Sequence, residues 1–306
     1  MMNLWRRGFI AGAGAALVTA SGQRAGAAPS FKTVTPGVLT IANSNEMPMI
    51  AMVDGKLIGS DAEIIATIAK KLGLGVVSAQ MEWSATVQSV KSGRADVMVG
   101  NMGWTPARAA VLAITDAIYY AGAFVCMKQD KPFTKAITIS DIKGHSIGTV
   151  NGFTIVPEMK KIPGTSDVKL YDNSDGCVRD VVAGRLDFGV LDGPLVDYMI
   201  LKNPNWNLKQ VALVADPDYP QLTSKQHTVA GMNQENHDLF DAVNAGVKWM
   251  WKTKQNAALM QKYGIGNPDY LVAPEKDPRV GVDRDATDNV IGPGAHTTKD
   301  FSSLFA

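Results

Sequence analysis

Residue types that serve in catalysis or metal binding occur in this sequence without the spacing that either role requires. No hydrolase nucleophile elbow is predicted, since the G-x-S-x-G match Gly144-His145-Ser146-Ile147-Gly148 follows a helical turn and leads into a strand, and no phosphate-binding loop of the Walker type occurs. The glycine cluster that resembles a dinucleotide loop, Gly12-Ala13-Gly14, follows no predicted strand. The histidines have no ligand partner at helical or hairpin spacing; they are His145, His227, His237 and His296. The sequence therefore favours a binding protein over an enzyme, and we expect neither a cofactor nor a metal site.

Composition and charge are those of an ordinary globular protein. The 306 residues are 46% hydrophobic and 19% charged, enough for one large domain or two medium ones. The formal net charge is +1, and without Arg6, Arg7 and Arg24 it becomes about −2. This balance leaves no basic surface for a nucleic acid. Two cysteines, Cys126 and Cys177, could pair in an oxidising compartment or remain buried thiols.

Residues 1–27 have the pattern of an export signal. Arg6-Arg7 is followed by Gly8-Phe9, a short Gly/Ala-rich apolar run and the small-residue sequence Ala25-Gly26-Ala27. The paired arginines resemble the twin-arginine export signal. A membrane anchor is the alternative, but the run is shorter than the ~20 apolar residues that a span needs. We expect cleavage near Ala27 and a mature protein in the periplasm.

The mature chain alternates short apolar strands with amphipathic helices. A strand is predicted over Val38–Asn43, and Ser60-Asp61-Ala62-Glu63 has the spacing of a capping box that opens a helix. After Ala123 the series begins again, with a helix capped by Ser174. A long helical region is predicted near the end and persists to Tyr263. The pattern predicts two α/β halves, each with a parallel sheet covered by helices.

Several short motifs occur in a set order along the chain. Together they are more specific for a protein family than any one motif alone. They are Gly55-Lys56-Leu57-Ile58-Gly59-Ser60-Asp61, Ser92-Gly93-Arg94-Ala95-Asp96-Val97, Thr105-Pro106-Ala107-Arg108, Thr115-Asp116, Ile142-Lys143-Gly144, Ile147-Gly148-Thr149 and Ala183-Gly184-Arg185-Leu186-Asp187. In this order and spacing the chain resembles the polar-amino-acid solute-binding proteins of ABC importers, family 3, over about residues 37–264.

The resemblance implies a two-lobed α/β fold, the type II periplasmic binding protein. Lobe 1 would contain residues 29–124 and 228–306, and lobe 2 residues 125–227. Two crossover strands near Val125 and Val229 would form the hinge, with the ligand in the cleft between the lobes. Residues 265–306 are rich in Pro, Asp, Gly and Thr, which predicts a tail that packs on lobe 1 or is disordered.

Two charged residues have the leading roles that the resemblance implies. Arg108 would bind the α-carboxylate of the ligand, since a guanidinium pairs a carboxylate bidentately where lysine cannot. Asp192 would accept hydrogen bonds from the α-ammonium group. The alternatives are a solvated arginine at the start of a helix and a helix cap ahead of Pro194.

The remaining candidates for ligand contact surround this pair. Thr154, with Gly152 and Phe153, stands at the family's G-T-T position. Asn101 and Gly103 stand where the family has hydroxyl residues, and Trp83 aligns with the side-chain pocket. Glu46 stands where many relatives have an aromatic residue; it either faces solvent at the rim or meets a polar group of the ligand. The last candidate is Asn43, at the end of the first strand.

The predicted function is capture of a small molecule, an amino acid or related zwitterion, for the permease of an ABC importer. We expect a monomer that binds no nucleic acid. One alternative is a periplasmic dehydratase-like enzyme on the same scaffold. The other is a sensor protein that presents its ligand to a membrane receptor. The sequence does not identify the ligand, because glycines and Glu46 replace residues that usually define the pocket.

Overall fold

The computed structural model describes residues 30–165 and 167–306, so the predicted export signal lies outside the described residues. The first part of the chain contains, in order, β1 (Val38–Asn43), β2 (Ala51–Val53), β3 (Lys56–Ile58), α1 (Ser60–Lys71), β4 (Gly75–Gln80), α2 (Trp83–Lys91), β5 (Val97–Met98), α3 (Pro106–Ala109), β6 (Ala113–Ile114), β7 (Tyr119–Ala121) and β8 (Ala123–Lys128).

The rest of the chain continues the alternation of strands and helices. Its elements are β9 (Ala136–Ile137), α4 (Ile139–Ile142), β10 (Ile147–Val150), α5 (Val156–Met159), β11 (Val168–Tyr171), α6 (Ser174–Val182), β12 (Phe188–Asp192), α7 (Gly193–Lys202), β13 (Leu208–Leu213), α8 (Pro220–Thr223), β14 (Gln226–Thr228), β15 (Gly231–Met232), α9 (His237–Thr253) and α10 (Gln255–Lys262). Single 3₁₀ turns occur at Pro204–Trp206, Pro268–Leu271, Gly292–Gly294 and Ser302–Phe305.

Two mixed sheets organise these elements. The first sheet has the strand order β4-β1-β5-β15-β6, in which β1 pairs parallel with β4 and β5 while β15 is antiparallel to both of its neighbours. The second sheet has the order β11-β10-β12-β8-β13-β9, in which β8 is antiparallel to β12 and β13. The prediction of wholly parallel sheets was therefore wrong, because β8 and β15, the strands that follow the two passages of the chain between the halves, run antiparallel to their neighbours.

The chain passes between the two sheets twice, and the two passages lie side by side. The first is at Gly122, between β7 and β8, and the second is at β14, between β13 and β15. Strands β7 and β14 pair antiparallel, with Tyr120 opposite His227. Val125 is already inside β8 of the second sheet, and Val229 directly follows β14. This two-stranded ribbon, the β7–β14 ribbon, connects the two sheets.

Local sequence patterns predicted the positions at which elements begin. They predicted less well the atoms that stabilise the ends of those elements. Strand β1 has the predicted bounds. Helix α1 begins after Gly59 and has no capping box, since Ser60 Oγ instead donates to Asp61 Oδ1 at 3.0 Å and the Glu63 carboxylate pairs with Lys262 at 2.7 Å. Helix α6 is capped by Asn173 rather than Ser174. The last helical region is divided at Lys254, which has a positive φ of 58°.

Residues 265–306, the C-terminal segment, pack against the first sheet and helix α9. Arg279 and Arg284 are 2% exposed, and their guanidinium groups donate to the carbonyl of Ile114 at the edge of β6. Arg279 also forms a buried ion pair with Asp283 at 2.7 Å. Phe305 packs against Trp249, with ring centroids 5.6 Å apart. Long-range polar contacts therefore hold a segment that has little regular structure of its own.

Two further observations bear on function classes. Cys126 and Cys177 are buried free thiols, and burial raises the pKa of Cys126 to about 12, so this thiol is unreactive at neutral pH. Across the described ranges 30–165 and 167–306, no helix has the length and apolar character to span a bilayer, and no group of metal-ligating side chains is clustered.

Candidate functional site

A cleft between the two sheets brings together most of the predicted site residues. Its walls are Trp83, Asn101, Gly103, Arg108, Ala121, Gly122, Ala123, Phe153, Thr154, Ile155, Asp192, Gln226 and Thr228. The free space in this arrangement is about 20 Å³, room for roughly one water molecule. A larger ligand can therefore enter only if the walls separate.

Arg108 is held at the centre of the cleft by its own short helix. Thr105 caps helix α3 by accepting from the Arg108 backbone N–H at 3.1 Å, and Pro106 occupies the first helical position. The side chain is 9% exposed, so it is not the solvated arginine of the alternative interpretation. Its guanidinium carbon lies 5.6 Å from the centroid of the Trp83 ring. The short helix thus directs the Arg108 guanidinium across the cleft.

The Arg108 guanidinium donates to backbone carbonyls on both sides of the cleft. Nη1 donates to the Gly103 carbonyl at 2.7 Å, and Nη2 donates to the Gly152 carbonyl at 3.0 Å. Burial lowers the pKa of Arg108 to about 10, and the charge of Asp192 opposes that shift. Arg108 therefore remains a cation at neutral pH. A planar guanidinium fork suits the two oxygens of a carboxylate.

Asp192 lies at the C-terminal end of β12, where the chain turns into helix α7. Its side chain makes no capping hydrogen bond, which leaves the carboxylate for the cleft. Burial raises the pKa of Asp192 to about 7, while an Asn101 hydrogen bond and the charge of Arg108 act in the opposite direction. A buried carboxylate with this pKa gains from a cationic partner.

The support for Asn101 comes from residues that the sequence interpretation assigned to structure or did not consider. The Asp61 carboxylate holds the Asn101 backbone, which has a positive φ of 52°. Thr228 Oγ1 donates to Asn101 Oδ1 at 2.7 Å. That bond leaves the Asn101 amide NH₂ to face Asp192, whose pKa it lowers.

Gln226 and Thr228 are cleft residues that sequence reasoning missed. They alternate with His227 along β14, so both face the cleft while His227 faces the other way. Thr154 Oγ1 donates to Gln226 Oε1 at 3.0 Å, which joins the second-sheet side to the ribbon. The available signal was that Gln226 and Thr228 are polar residues at alternate positions next to the crossover predicted near Val229.

Two predicted glycines matter because the halves approach closely there. A Cβ at Gly103 would lie 2.6 Å from Gln226 Oε1. Gly152 has a φ of +82°, and a Cβ there would lie 3.0 Å from the backbone of Ser84. Beside it, Phe153 meets Trp83 edge to face, with ring centroids 6.4 Å apart. These rings form an apolar wall next to the charged centre.

Two predicted site residues lie away from the cleft lining. Asn43 is fully buried and its amide donates to the Ile41 carbonyl and to Ser78 Oγ, so it supports the end of β1. Glu46 is at the edge, where its Oε1 accepts from the Ser174 backbone N–H at 2.8 Å. Of its two alternatives, the structure shows neither free solvent exposure nor a place in the cleft wall, but a bridge between the halves.

Comparison with known proteins agrees with this architecture. The family model described as bacterial extracellular solute-binding proteins, family 3, matches residues 39–266. Among curated relatives, the L-cystine-binding protein TcyJ of Escherichia coli (strain K12) is 25% identical over 210 residues, covering 69% of this chain and 75% of that protein. The histidine-binding periplasmic protein of Salmonella typhimurium is 22% identical and covers 68% of this chain and 80% of that protein.

Other similarities are shorter or structural. The probable amino-acid-binding protein YxeM of Bacillus subtilis is 26% identical, but the match spans only 55% of that protein. An ancestral arginine-binding protein bound to arginine superposes with a TM-score of 0.65 at 25% identity, covering 74% of this chain and 98% of the other. The substrate-binding protein of an amino acid ABC transporter gives a TM-score of 0.65 at 23% identity, covering 74% and 99%. These structures confirm the predicted type II periplasmic binding protein fold.

Proposed function

We infer, for a chain that belongs to the bacterial extracellular solute-binding proteins of family 3, that it captures an amino acid or related zwitterion in the cleft for delivery to an ABC importer. The observation that carries this proposal is the buried pair of Arg108 and Asp192. Both line the cleft and influence each other's pKa, yet the guanidinium is bonded to carbonyls rather than to the carboxylate. A ligand with one negative and one positive group satisfies both.

The proposed division into lobes follows the two sheets. Lobe 1 comprises residues 29–124 and 228–306, and lobe 2 comprises residues 125–227. The β7–β14 ribbon supports this division because it lies between the sheets. Residues on both sides contribute to the cleft, with Arg108 in lobe 1 and Asp192 in lobe 2. The ligand therefore gains both contacts only when the lobes close.

In the proposed complex the ligand carboxylate replaces the Gly152 carbonyl as the acceptor of Arg108. Thr154 and the backbone around Gly152 approach that carboxylate from lobe 2, and Asp192 accepts from the ammonium group. Trp83 and Phe153 form the wall for an apolar part of the ligand side chain. Glu46 contributes by holding the lobes together rather than by touching the ligand.

The remaining parts of the proposal rest on the sequence. Residues 1–27 would direct export by the twin-arginine route, with cleavage near Ala27, and the mature protein would act as a periplasmic monomer that meets the permease of an importer. The relatives are named as binding proteins, which supports transport over the dehydratase-like and sensor alternatives.

A thermal-shift screen of the mature protein against amino acids, polyamines and small organic acids tests the proposal. A ligand at 100 times its Kd should add about 2.7 kcal/mol to the free energy of unfolding. We expect the responding compounds to carry both an α-carboxylate and an α-ammonium group. Stabilisation by organic acids alone, with no amino acid active, would contradict the zwitterion assignment.

A further inference from the structure

A second cavity lies on the opposite face of the β7–β14 ribbon from the cleft. This rear cavity has a volume of about 450 Å³. Tyr120, His227 and Trp251 line it from the body of the fold, and Ala273, Asp277 and Arg279 line it from the C-terminal segment. The family match ends at residue 266, so the segment that completes this cavity lies beyond the matched region.

The C-terminal segment is fixed firmly enough to form a wall. Arg279 Nη1 donates to the Thr115 carbonyl at 2.7 Å, and Nη2 reaches both the Ile114 carbonyl and Asp283. On the hinge side, Lys225 Nζ donates to the carbonyls of Asp269 and Val272 at 2.9 and 3.1 Å. Ordered contacts therefore hold the wall at both of its ends.

The inner surface of the rear cavity is aromatic. The Tyr120 and Trp251 rings lie 6.0 Å apart at an angle of 47°, and the His227 ring meets Tyr120 edge to face at 5.1 Å. His227 is 4% exposed, and its Nδ1 has no hydrogen-bond partner within the described ranges. Burial lowers the pKa of His227, which keeps the ring neutral at pH 7. The inner surface offers ring faces and edges, and the two cationic side chains of the lining, Lys248 and Arg279, are engaged with carboxylates and a backbone carbonyl.

The charge at the mouth is negative and incompletely balanced. Lys248 Nζ lies 3.4 Å from the carboxylates of Asp116 and Asp288, and Arg284 lies 3.4 and 3.5 Å from the same two carboxylates. Asp277 forms no ion pair with a Lys or Arg side chain of the described part of the chain; its Oδ1 accepts from the Arg279 backbone N–H at 2.8 Å and lies 3.3 Å from Nε2 of the neutral His227. Asp277 is 44% exposed and open to a soluble partner.

From this combination we propose that the rear cavity binds a small organic cation, with its ammonium group on Asp277 and its apolar part against Tyr120 and Trp251. Carboxylate pairing gives the charge preference, and the aromatic rings attract the cation and cover its hydrocarbon. Asp277 has no cationic side-chain partner among the residues that the structure describes and lies beside aromatic rings. Such a carboxylate excludes anions and disfavours neutral ligands.

The position of the rear cavity implies coupling to the cleft. His227 and Tyr120 are paired across the ribbon, while Gln226 and Thr228 on the same strand line the cleft. Any cation that binds one lobe arrangement more tightly must alter affinity in the cleft, and a cleft ligand must alter affinity for the cation by the same factor.

Calorimetric titration of the mature protein with phenethylammonium tests the site, with the uncharged phenethyl alcohol as control. We expect the amine to bind and the alcohol to bind at least tenfold more weakly. Asp277→Asn should weaken amine binding at least tenfold, and Ala273→Trp, at an exposed position, should block the cavity sterically. Asp269→Asn removes a carboxylate from the same segment outside the cavity and should have no effect.

Asp192→Asn separates this site from the cleft. Retained amine binding in Asp192→Asn, together with loss in Asp277→Asn, supports the rear cavity whether or not any amino acid binds. Amine binding that survives both Asp277→Asn and Ala273→Trp, or that is lost in Asp192→Asn alone, overturns the proposal. Absence of measurable binding at millimolar amine also overturns it.

Discussion

Glu46 Oε1 accepts a hydrogen bond from the backbone N–H of Ser174 at 2.8 Å, which joins the loop after β1 to the first residue of helix α6. Glu46 belongs to the side of the first sheet, and α6 packs on the second. A carboxylate at a helix N-terminus is stabilised by the free N–H groups and the helix dipole. The contact therefore acts as a latch between the lobes when they are closed.

Glu46→Ala should destabilise the closed state while leaving every side chain that lines the cleft in place, although removal of its charge also lowers the pKa of Asp192. The loss of a carboxylate at a helix N-terminus costs about 0.5–2 kcal/mol, which corresponds to a two- to thirtyfold weaker ligand affinity. The change should appear mainly as faster ligand dissociation in stopped-flow measurements. Glu235→Ala removes an exposed carboxylate elsewhere in lobe 1 and serves as control. Equal dissociation rates for Glu46→Ala and the wild type would show that the latch has no role in closure.

Ligand affinity should fall as the pH is lowered through about 7. Burial raises the pKa of Asp192 to about 7, and a protonated Asp192 cannot serve as a charged acceptor for an ammonium group. Below that pH we expect affinity to decrease towards tenfold per pH unit, with proton release on binding. Asp192→Asn should bind weakly with little pH dependence between 5 and 8. A flat profile for the wild type would contradict the role of Asp192.

The pH dependence that Asp192 gives to the stability of the ligand-free protein should have the opposite sign to that of ligand affinity. The folded-state pKa is raised above the ordinary aspartate value of 3.8, so the contribution of this group to stability is fully present below about pH 4 and is lost as pH rises through about 7. Asp192→Asn should therefore raise the melting temperature at pH 8 relative to the wild type, and less so at pH 4. A lower melting temperature at pH 8 would indicate that the carboxylate has a stabilising partner.

Ligand binding should decrease the radius of gyration measured by small-angle scattering. The structure has a closed cleft with room for roughly one water molecule, so we expect the ligand-free protein in solution to adopt an open form, separated at the β7–β14 ribbon, that admits a larger molecule. Closure then brings Arg108 and Asp192 to the same ligand. Identical radii with and without saturating ligand would place the site within one lobe.

Export should depend on the twin arginines at the N-terminus. Lysine at both Arg6 and Arg7 keeps the charge but removes the paired-arginine pattern, so the precursor should accumulate in the cytoplasm. Fractionation and immunoblotting of the two forms measure this effect. An unchanged periplasmic yield would exclude the twin-arginine route.

The sequence predicted elements and cleft residues that depend on local pattern or on a family motif. The strand Val38–Asn43 is a short, mostly apolar run that is buried from Leu39 onward, and Thr105-Pro106 fixes the start of the short helix that holds Arg108. These features depend on residues close in sequence, so local sequence patterns were sufficient to predict them.

Contacts between distant parts of the chain could not be predicted in the same way. Asp61 looked like a helix cap, but its carboxylate supports Asn101, forty residues away. Arg279 and Arg284 lie in a segment with the composition of a surface tail, and nothing near them in sequence indicates that both reach the carbonyl of Ile114. Glu46 likewise meets Ser174 only because the lobes face each other.

The central claim is that Arg108 and Asp192 hold the two charged groups of one ligand. The most direct test is calorimetric titration of wild type, Arg108→Ala and Asp192→Asn with the amino acid that the thermal screen selects and with its α-amide. Loss of the bidentate contact should cost roughly 2–5 kcal/mol, a loss of at least about thirtyfold in affinity for Arg108→Ala. The wild type should reject the α-amide to a similar extent, whereas Arg108→Ala should hardly distinguish amide from acid. A folded Arg108→Ala that loses less than tenfold, or that still discriminates strongly against the amide, would contradict the account.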